Sequence, residues 1–297
     1  MELRAEAEHA LRVAGVDRPG VEARWMLEEA SGLDAAAQAA DADAVATQRA
    51  IDTMRGLVTR RVAGEPLQYV LGSWSFWGLD LLVDRRVLIP RPETEVVAQV
   101  AIEEVRRLGE RVGRVDPWAG ALTHYAVADL GTGSGALALA LAASLPDAEV
   151  WATDASDAAL DVARANAAGS GTTAARVRIE AGSWFEALPE ELRGRLLLVV
   201  SNPPYVSEPE FATLPAEVAD WEPRGALVSG PTGLEAIEAI LAEAPRWLAP
   251  AGAVVLELAP HQAIDATARA RAAGFASVTV LTDLAGKDRV LVARCVA

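Results

Sequence analysis

The feature that most constrains this chain is a run of five consecutive Leu and Val residues, 196–200, followed by Ser201 and the tetrapeptide Asn202-Pro203-Pro204-Tyr205. An uninterrupted apolar run of this length predicts a strand buried on both faces of a sheet. Two prolines directly behind it prevent regular structure from continuing. The sequence therefore predicts a rigid loop that presents Asn202 at the carboxyl edge of a sheet, where open α/β sheets bind ligands. A plain turn in which Asn202 caps the local backbone is equally compatible with the tetrapeptide alone.

Strand and helix patterns alternate through the last 170 or so residues, a spacing typical of a doubly wound sheet. Strands are predicted at 126–130, 149–154, 176–180, 196–200, 253–258, 278–282 and 289–296, and helices beginning at Ala136, Asp157, Gly233 and Ile264. This order predicts an α/β fold with a mostly parallel, seven-stranded, Rossmann-like sheet. Helices should cover both faces, and an antiparallel hairpin should close the sheet at the C-terminus.

The N-terminal part has a different pattern. Residues 1–72 place apolar side chains at helical spacing, with breaks at Pro19-Gly20 and Ser31-Gly32, which predicts a small helical bundle. Residues 73–90 alternate and are rich in aromatic side chains, which predicts a β-hairpin that links this bundle to a second domain at 91–297. A helix is expected to run to about Leu108, followed by a polar connector over residues 109–120.

Charge and composition exclude several classes of protein. A formal net charge of −15 argues against holding nucleic acid through its phosphates, which requires clustered Lys and Arg. One cysteine and three scattered histidines provide neither a disulfide nor a zinc-ligand spacing. We therefore expect a metal-free site. Because the N-terminus lacks an apolar signal core, we also expect a cytoplasmic enzyme with no membrane partner.

A glycine-rich segment follows the first predicted strand of the sheet. Asp129 precedes Gly131-Thr132-Gly133-Ser134-Gly135, and glycines there let the backbone turn sharply and approach a ligand near a helix N-terminus. The next predicted strand ends in Asp154, whose carboxylate suits both hydroxyls of a ribose, although a helix cap is an alternative. The segment also approximates a dinucleotide fingerprint. Asp129 and the Asn-Pro-Pro-Tyr loop favour S-adenosylmethionine instead, because a hydride-transfer enzyme has no use for that loop.

Two aromatic residues, Trp184 and Phe185, follow the third predicted strand of the sheet. In such a fold the adenine edge of a nucleoside cofactor lies at this position, and an aromatic ring there can line the base. Ordinary core packing of either ring is an equally good interpretation. The pattern alone therefore leaves open which of the two, if either, faces the cofactor.

Five motifs taken together resemble the HemK/PrmC family, the protein-glutamine methyltransferases of peptide chain release factors. They are Leu88-Ile89-Pro90-Arg91-Pro92-Glu93-Thr94-Glu95, the segment 129–135, Ser201 with the tetrapeptide, Trp221-Glu222-Pro223, and the segment 283–289. The resemblance implies an enzyme that methylates the side-chain amide nitrogen of the glutamine in the Gly-Gly-Gln motif of class I release factors. We expect this enzyme to be a monomer. The resemblance also implies S-adenosylmethionine as cofactor and an N-terminal domain that docks the release factor.

The family resemblance also implies roles for individual residues. The cofactor would contact Asp129, Gly131, Thr132, Gly133, Gly135, Asp154, Trp184 and Asn202. The glutamine would contact Asn202, Pro203, Pro204, Tyr205, Arg91 and Glu93, with Asn202, Pro203 and Tyr205 acting in catalysis. The Asn202 side-chain oxygen and the Pro203 carbonyl can accept the two N–H bonds of the amide and so orient its nitrogen.

Two other functions remain open on the sequence alone. The same loop occurs in methyltransferases that act on exocyclic amines of nucleic acids, and the absence of any basic stretch counts against that alternative. A cofactor-binding regulator without turnover is the second, and the intact Asn202 with its prolines argues against it.

Overall fold

The computed structural model describes residues 2–40, 45–115 and 125–297. The chain divides into two compact units, one made of Met1–Ser73 with Pro215–Trp221 and the other of Trp74–Leu214 with Glu222–Ala297. The domain bounds expected from the sequence, 1–72, 73–90 and 91–297, stay a prediction.

The first unit is a set of helices, as its helical spacing predicts. They are α1 (Glu2–Val13), α2 (Pro19–Ser31), α3 (Ala35–Ala40), α4 (Gln48–Val62) and α5 (Leu67–Leu71). Leu11, Met26 and Met54 are fully buried where α1, α2 and α4 meet. Helix α2 ends at the predicted break, because Gly32 takes a left-handed φ of 69° and donates its N–H to the Glu28 carbonyl.

The second unit is built on a seven-stranded mixed sheet. Its elements in chain order are β1 (Ser73–Phe76), which begins one residue before the unit, β2 (Leu79–Leu82), α6 (Pro92–Val115), β3 (Tyr125–Leu130), α7 (Ala136–Ser144), β4 (Ala148–Asp154), α8 (Asp157–Gly169), β5 (Val177–Ala181), β6 (Leu196–Ser201), β7 (Val206–Ser207), α9 (Glu208–Phe211), α11 (Arg224–Leu227), β8 (Val228–Gly230), α12 (Glu235–Glu243), β9 (Leu248–Glu257), α13 (Ala263–Ala272), β10 (Ser277–Thr282) and β11 (Asp288–Arg294). Helix α10 (Ala216–Ala219), which follows α9 in the chain, belongs to the first unit. The sheet order is β10-β11-β9-β6-β3-β4-β5.

The apolar run 196–200 forms the centre of the sheet. Every residue of β6 is buried, and β6 pairs in parallel with β3 on one side and β9 on the other. Strands β9, β11 and β10 pair antiparallel, which confirms the predicted hairpin at the C-terminus. The strands β3, β4, β6 and β9 therefore end at one edge of the sheet, and their terminal residues converge there.

Three parts of this unit differ from the sequence expectation. Helix α6 continues to Val115, so the connector predicted from residue 109 was wrong over 109–115, and residues 116–120 lie outside the described residues. Leu108, Val112 and Val115 keep helical spacing, which outweighs the helix-weakening effect of Gly109 and Gly113. Strand β9 starts five residues early at Leu248. A two-stranded sheet of β7 and β8 also follows the Asn-Pro-Pro-Tyr loop.

In the described ranges, no helix combines the length and the apolar character needed to span a bilayer.

Candidate active site

A cavity of about 460 Å³ opens where β3, β4 and β6 end, and all of its lining residues belong to the second unit. Eight of the residues expected at a site line it: Asp129, Gly131, Thr132, Gly133, Asp154, Trp184, Asn202 and Pro204. Gly135, Pro203, Tyr205, Arg91 and Glu93 are not among its lining residues. The fold thus brings the glycine segment, the β4 carboxylate and the Asn-Pro-Pro-Tyr loop to one cavity.

The Asp129 carboxylate at the end of β3 organises the glycine segment from beneath. It is fully buried, and its Oδ2 accepts hydrogen bonds from the Thr132 hydroxyl at 2.6 Å and the Ala138 N–H at 3.0 Å. Burial raises the pKa of Asp129 to about 7, and the two hydrogen bonds oppose that shift. The Oδ1 atom is buried and accepts no hydrogen bond from the described residues. Asp129 therefore ties the loop to the first turn of α7 and leaves one acceptor unused.

The glycines of this segment adopt backbone conformations that other residues rarely adopt. Gly131 and Gly133 have φ values of 70° and 56°, and a Cβ on Gly131 would lie 3.4 Å from the Trp184 ring. A Cβ on Gly133 would meet nothing within 4 Å, so its backbone borders open space. Gly135 has a different position, because a Cβ there would touch Ala163 and Leu139 at 3.5 Å. It serves the close packing of α7 on α8.

The Asp154 carboxylate, at the end of β4, is half-buried and faces the cavity. Its Oδ2 accepts the Gly133 N–H at 2.9 Å, and its Oδ1 accepts the Ser156 N–H at 2.9 Å. Each carboxylate oxygen can accept a further hydrogen bond, which suits a pair of ribose hydroxyls. The helix cap considered for Asp154 is not what the structure shows, since the Ser156 side chain caps α8.

Of the two aromatic residues after β5, Trp184 borders the cavity and Phe185 does not. Trp184 has a φ of 48°, and its carbonyl accepts a hydrogen bond from the Thr153 hydroxyl at 2.9 Å. Phe185 is 1% exposed and stacks on Trp247 with 5.7 Å between ring centroids. The tertiary structure thus separates the two interpretations that the sequence left open, with one ring for the cavity and one for the core.

Hydrogen bonds at both ends hold the Asn-Pro-Pro-Tyr loop at the edge of the sheet. The Ser201 hydroxyl donates to the Leu130 carbonyl at 2.5 Å, which links the ends of β6 and β3. The Gln262 side-chain amide donates to the carbonyls of Tyr205 at 2.8 Å and Gly233 at 3.0 Å. Pro203 between these anchors is buried. The loop is therefore fixed at both ends and stiffened by its prolines.

The Asn202 side chain has a defined orientation. Its Nδ2 donates to the Thr94 hydroxyl oxygen at 3.1 Å, and that hydroxyl donates to Glu257 Oε2 at 2.7 Å. The Asn202 Oδ1 atom is buried and has no hydrogen-bond donor within the described part of the chain. An acceptor left without a partner at a cavity wall is costly unless a ligand supplies the donor. Asn202 is thus suited to accept an N–H bond from a bound molecule.

Tyr205 points to Glu257. Its hydroxyl lies 3.4 Å from Glu257 Oε1, and burial together with the nearby Glu257 charge raises the pKa of Tyr205 above its ordinary value. The phenol therefore stays protonated and acts as a donor. Burial also raises the pKa of Glu257 to about 7, against the lowering effects of the Thr94 hydrogen bond and the Arg289 charge.

Arg91 and Glu93 are both expected to contact the glutamine, but neither lines the cavity. The Arg91 guanidinium forms an ion pair with Glu222, whose other carboxylate oxygen accepts the Ile89 N–H at 3.2 Å. This contact joins the stretch before α6 to the stretch before α11, and residues of both stretches line the cavity. Glu93 is exposed.

Sequence reasoning missed Glu257 and Gln262 and named Thr94 only as part of a family motif. The signal for Glu257 was available, because a carboxylate ends β9 at the same edge as Asp154 and Asn202. No local signal marked Gln262, since its contact to Tyr205 spans 57 residues.

We predict that Gly233→Ala disrupts the Asn-Pro-Pro-Tyr loop. A Cβ at Gly233 would lie 2.6 Å from the Tyr205 carbonyl oxygen and 2.9 Å from Gln262 Nε2, and φ is 81°. The matched control is Gly286→Ala, where φ is 76° and nothing lies within 4 Å. Both variants carry the left-handed penalty of about 1–2 kcal/mol, and only Gly233→Ala adds the clash. We expect a lower melting temperature and lower activity for Gly233→Ala than for Gly286→Ala. Equal values would show that the loop does not depend on this contact.

The buried carboxyls predict how stability varies with pH. The pKa values of Glu257 and Asp129 are about 7 in the folded protein, against ordinary values of 4.5 and 3.8. Between about pH 4 and pH 7 these two carboxyls therefore stay protonated in the folded state, whereas the unfolded state has released their protons. The stabilisation from these two protonated carboxyls is fully present below about pH 4 and is lost as pH rises through 7, by roughly 3–4 kcal/mol per group.

Urea unfolding of the wild type and of Glu257→Gln between pH 5 and pH 8 tests this expectation. The free energy of unfolding should fall with rising pH, and the Gln variant should lose part of that dependence. Glu191→Gln, at an exposed carboxylate away from the cavity, is the control. A wild type that grows more stable toward pH 8 would contradict the prediction.

Comparisons with known proteins bear on both units. A family model described as the PrmC N-terminal domain matches residues 2–72, and one described as the methyltransferase small domain matches residues 120–217. The release factor glutamine methyltransferase of Xylella fastidiosa (strain Temecula1) is 38% identical over 287 residues, which are 96% of this chain and 97% of the relative. Proteins of the same name from Deinococcus radiodurans and Bordetella pertussis are 40% and 42% identical, covering 99% and 92% of this chain and 97% and 93% of the relatives.

A solved structure supports the fold. The catalytic domain of hMettl16, crystallised with the MAT2A 3'UTR hairpin 6, matches with a TM-score of 0.53 over 82% of this chain and 80% of that one. At 14% identity this likeness concerns the fold alone.

Proposed function

Since the chain belongs to the release factor glutamine methyltransferase family, we propose that it methylates the side-chain amide nitrogen of the glutamine in the Gly-Gly-Gln motif of class I peptide chain release factors. The observation that carries this proposal is the Asn202 amide at the wall of the cavity that Asp154 also lines, with its Oδ1 shielded from solvent and unpartnered within the described residues. A primary amide is the kind of group that such an acceptor can bind and orient.

The cofactor is S-adenosylmethionine, and the cavity has the features it requires. The backbone of Gly133 borders open space, and Gly131 lines the cavity beside the Trp184 ring. The Asp154 oxygens have unused lone pairs for ribose hydroxyls, and Trp184 offers a ring at the wall. We assign these four residues to the cofactor. Asp129 and Gly135 serve it indirectly, one by holding the loop and the other by packing α7 on α8.

Bound S-adenosylmethionine would supply an electrophilic methyl group to the amide nitrogen, with the sulfur as leaving group and the nitrogen's proton released to solvent. An amide nitrogen is a poor nucleophile because its lone pair is delocalised into the carbonyl. The protein must therefore orient it. Asn202 Oδ1 would accept one N–H of the glutamine amide, and the Pro203 carbonyl would accept the other. These two hydrogen bonds would aim the nitrogen lone pair at the methyl group and so speed the transfer through positioning.

Tyr205 has a supporting role in this proposal. Its phenol is kept protonated and directed toward Glu257, so it does not serve as a base for the amide. Its carbonyl is anchored by Gln262. Tyr205 thus holds the loop in which Asn202 and Pro203 act. Arg91 supports the same cavity through its ion pair with Glu222.

Residues 1–72 are the segment that we assign to docking the release factor. Among residues 2–40 and 45–72, which the structure describes, none lines the cavity, whereas the match to the PrmC N-terminal domain covers nearly all of the segment. We place the enzyme, as a monomer, in the cytoplasm with its substrate. A nucleic-acid amine as substrate is not favoured, since the relatives are named for release factors and the net charge is −15.

Methyl transfer from radiolabelled S-adenosylmethionine tests the function. The acceptors to compare are an intact class I release factor, the same factor with its Gly-Gly-Gln glutamine replaced by alanine, and duplex DNA. Label should enter only the intact factor. Label in the alanine-substituted factor would place the methyl group on another residue, and label in DNA would support the nucleic-acid alternative.

A further inference from the structure

Three side chains from separate elements form a hydrogen-bonded chain behind Asn202. Thr94 lies near the start of α6, Asn202 follows β6, and Glu257 ends β9. Thr94 is 4% exposed and Glu257 is 1% exposed. Neither has been assigned a part in the proposed reaction, although Thr94 lines the cavity beside Asn202.

The direction of each hydrogen bond in this chain follows from the chemistry of its groups. The Thr94 hydroxyl has one hydrogen, and its oxygen lies 2.7 Å from Glu257 Oε2 and 3.1 Å from Asn202 Nδ2. Above its pKa of about 7 the Glu257 carboxylate is ionised and only accepts, so Thr94 then donates its hydrogen to Glu257. The lone pairs of the hydroxyl oxygen then face Asn202. Of the two polar groups of that amide, only the NH₂ group can donate to them.

This arrangement selects one of the two orientations of the Asn202 amide. If the amide turned over, Oδ1 would face the Thr94 oxygen with no hydrogen between them, and two acceptors would be in contact. In the observed orientation the NH₂ group is used internally and Oδ1 stays free for a ligand. A buried carboxylate two hydrogen bonds away thus determines which atom of Asn202 a substrate meets.

We propose that Thr94 and Glu257 are positioning residues for the methyl transfer, which fix the Asn202 amide with its oxygen available to the glutamine N–H. This inference rests on the proposed function. Tyr205 supports the same arrangement, because its hydroxyl reaches the other oxygen of Glu257 at 3.4 Å and holds that carboxylate in place.

Thr94→Val is the direct test, because valine keeps the shape of threonine and neither donates nor accepts a hydrogen bond. Assays run at about pH 8, above the pKa of Glu257, with an intact release factor as acceptor. We expect kcat to fall on the order of tenfold to a hundredfold, since the amide loses its fixed orientation. The dissociation constant for S-adenosylmethionine, measured by calorimetry, should stay within about threefold, which also shows that the variant is folded.

Further variants distinguish positioning from a general structural effect. Thr94→Ser keeps the hydroxyl and should restore most of kcat. Thr279→Val, on the exposed face of edge strand β10, removes a hydroxyl away from the cavity and should behave as wild type. Glu257→Leu frees the Thr94 hydroxyl either to accept from Asn202 Nδ2 or to donate to Asn202 Oδ1, and should lower kcat without a buried unpaired charge.

The decisive comparison is a double-mutant cycle. If Thr94 acts through Asn202, Thr94→Val should cost little further activity in an Asn202→Ala enzyme. A wild-type kcat for Thr94→Val, or an undiminished loss in the Asn202→Ala background, would overturn the positioning proposal while leaving the function intact. No methylation of the release factor by the wild-type enzyme would overturn the function and, with it, this inference.

Discussion

Asn202→Ala is expected to lower kcat for release factor methylation at least a hundredfold while S-adenosylmethionine binds with nearly native affinity. The substitution removes the side-chain oxygen that would aim the glutamine amide, and a misplacement of about 1 Å at a reacting atom can cost a hundredfold. The lost hydrogen bond adds to this cost. The loop itself should stay in place, because Ser201, Gln262 and the prolines hold it independently of the Asn202 side chain.

Single-turnover rates and calorimetric cofactor affinities separate these two effects. Gln99→Ala, which removes an exposed side-chain amide on α6, is the control and should match the wild type in both. A near-native turnover rate for Asn202→Ala would reduce Asn202 to a turn residue. The proposed mechanism would then fail.

Asp154→Ala is expected to cause a large loss of cofactor affinity, in contrast to Asn202→Ala, which should keep that affinity. Two charge-assisted hydrogen bonds to ribose are worth about 1.5–3 kcal/mol each, so the dissociation constant should rise at least about a hundredfold. Removing the carboxylate also releases the Gly133 N–H, which Asp154 now holds at 2.9 Å. Asp154→Asn keeps one acceptor oxygen and should lie between the wild type and the alanine variant.

Isothermal titration with S-adenosylmethionine measures this effect directly. Asp157→Ala, at an exposed carboxylate three residues further along the chain, should bind as the wild type does. An Asp154→Ala affinity within twofold of the wild type would remove Asp154 from the cofactor site.

Much of the framework around the site was predictable from local patterns. The five apolar residues before Ser201 indicate a strand covered on both faces, because only a buried strand can hide such a run. The two prolines then require the strand to stop, and Gly131, Gly133 and Asp154 follow neighbouring strands in the same way. Parallel strands end at one edge, so the chain order alone brings these residues near one another.

Other features depended on contacts between distant parts of the chain. Trp184 and Phe185 are neighbours of similar chemistry, and only the packing of Phe185 on Trp247 decides which ring is left for the cavity. The extent of α6 was likewise underestimated, because two glycines weigh against a helix locally and apolar spacing favours it.

The orientation of Asn202 is the clearest case of a property that the sequence by itself did not determine. The sequence places an amide at the end of β6, and that follows from the apolar run and the prolines. Which atom of the amide faces a ligand depends on Thr94, which lies 108 residues from Asn202 in the chain, and on Glu257, which lies 163 residues from Thr94. The Thr94 hydroxyl has a single hydrogen, which it donates to the buried Glu257 carboxylate, so it can only accept from Asn202. This hydrogen-bond direction is defined only once the three side chains meet.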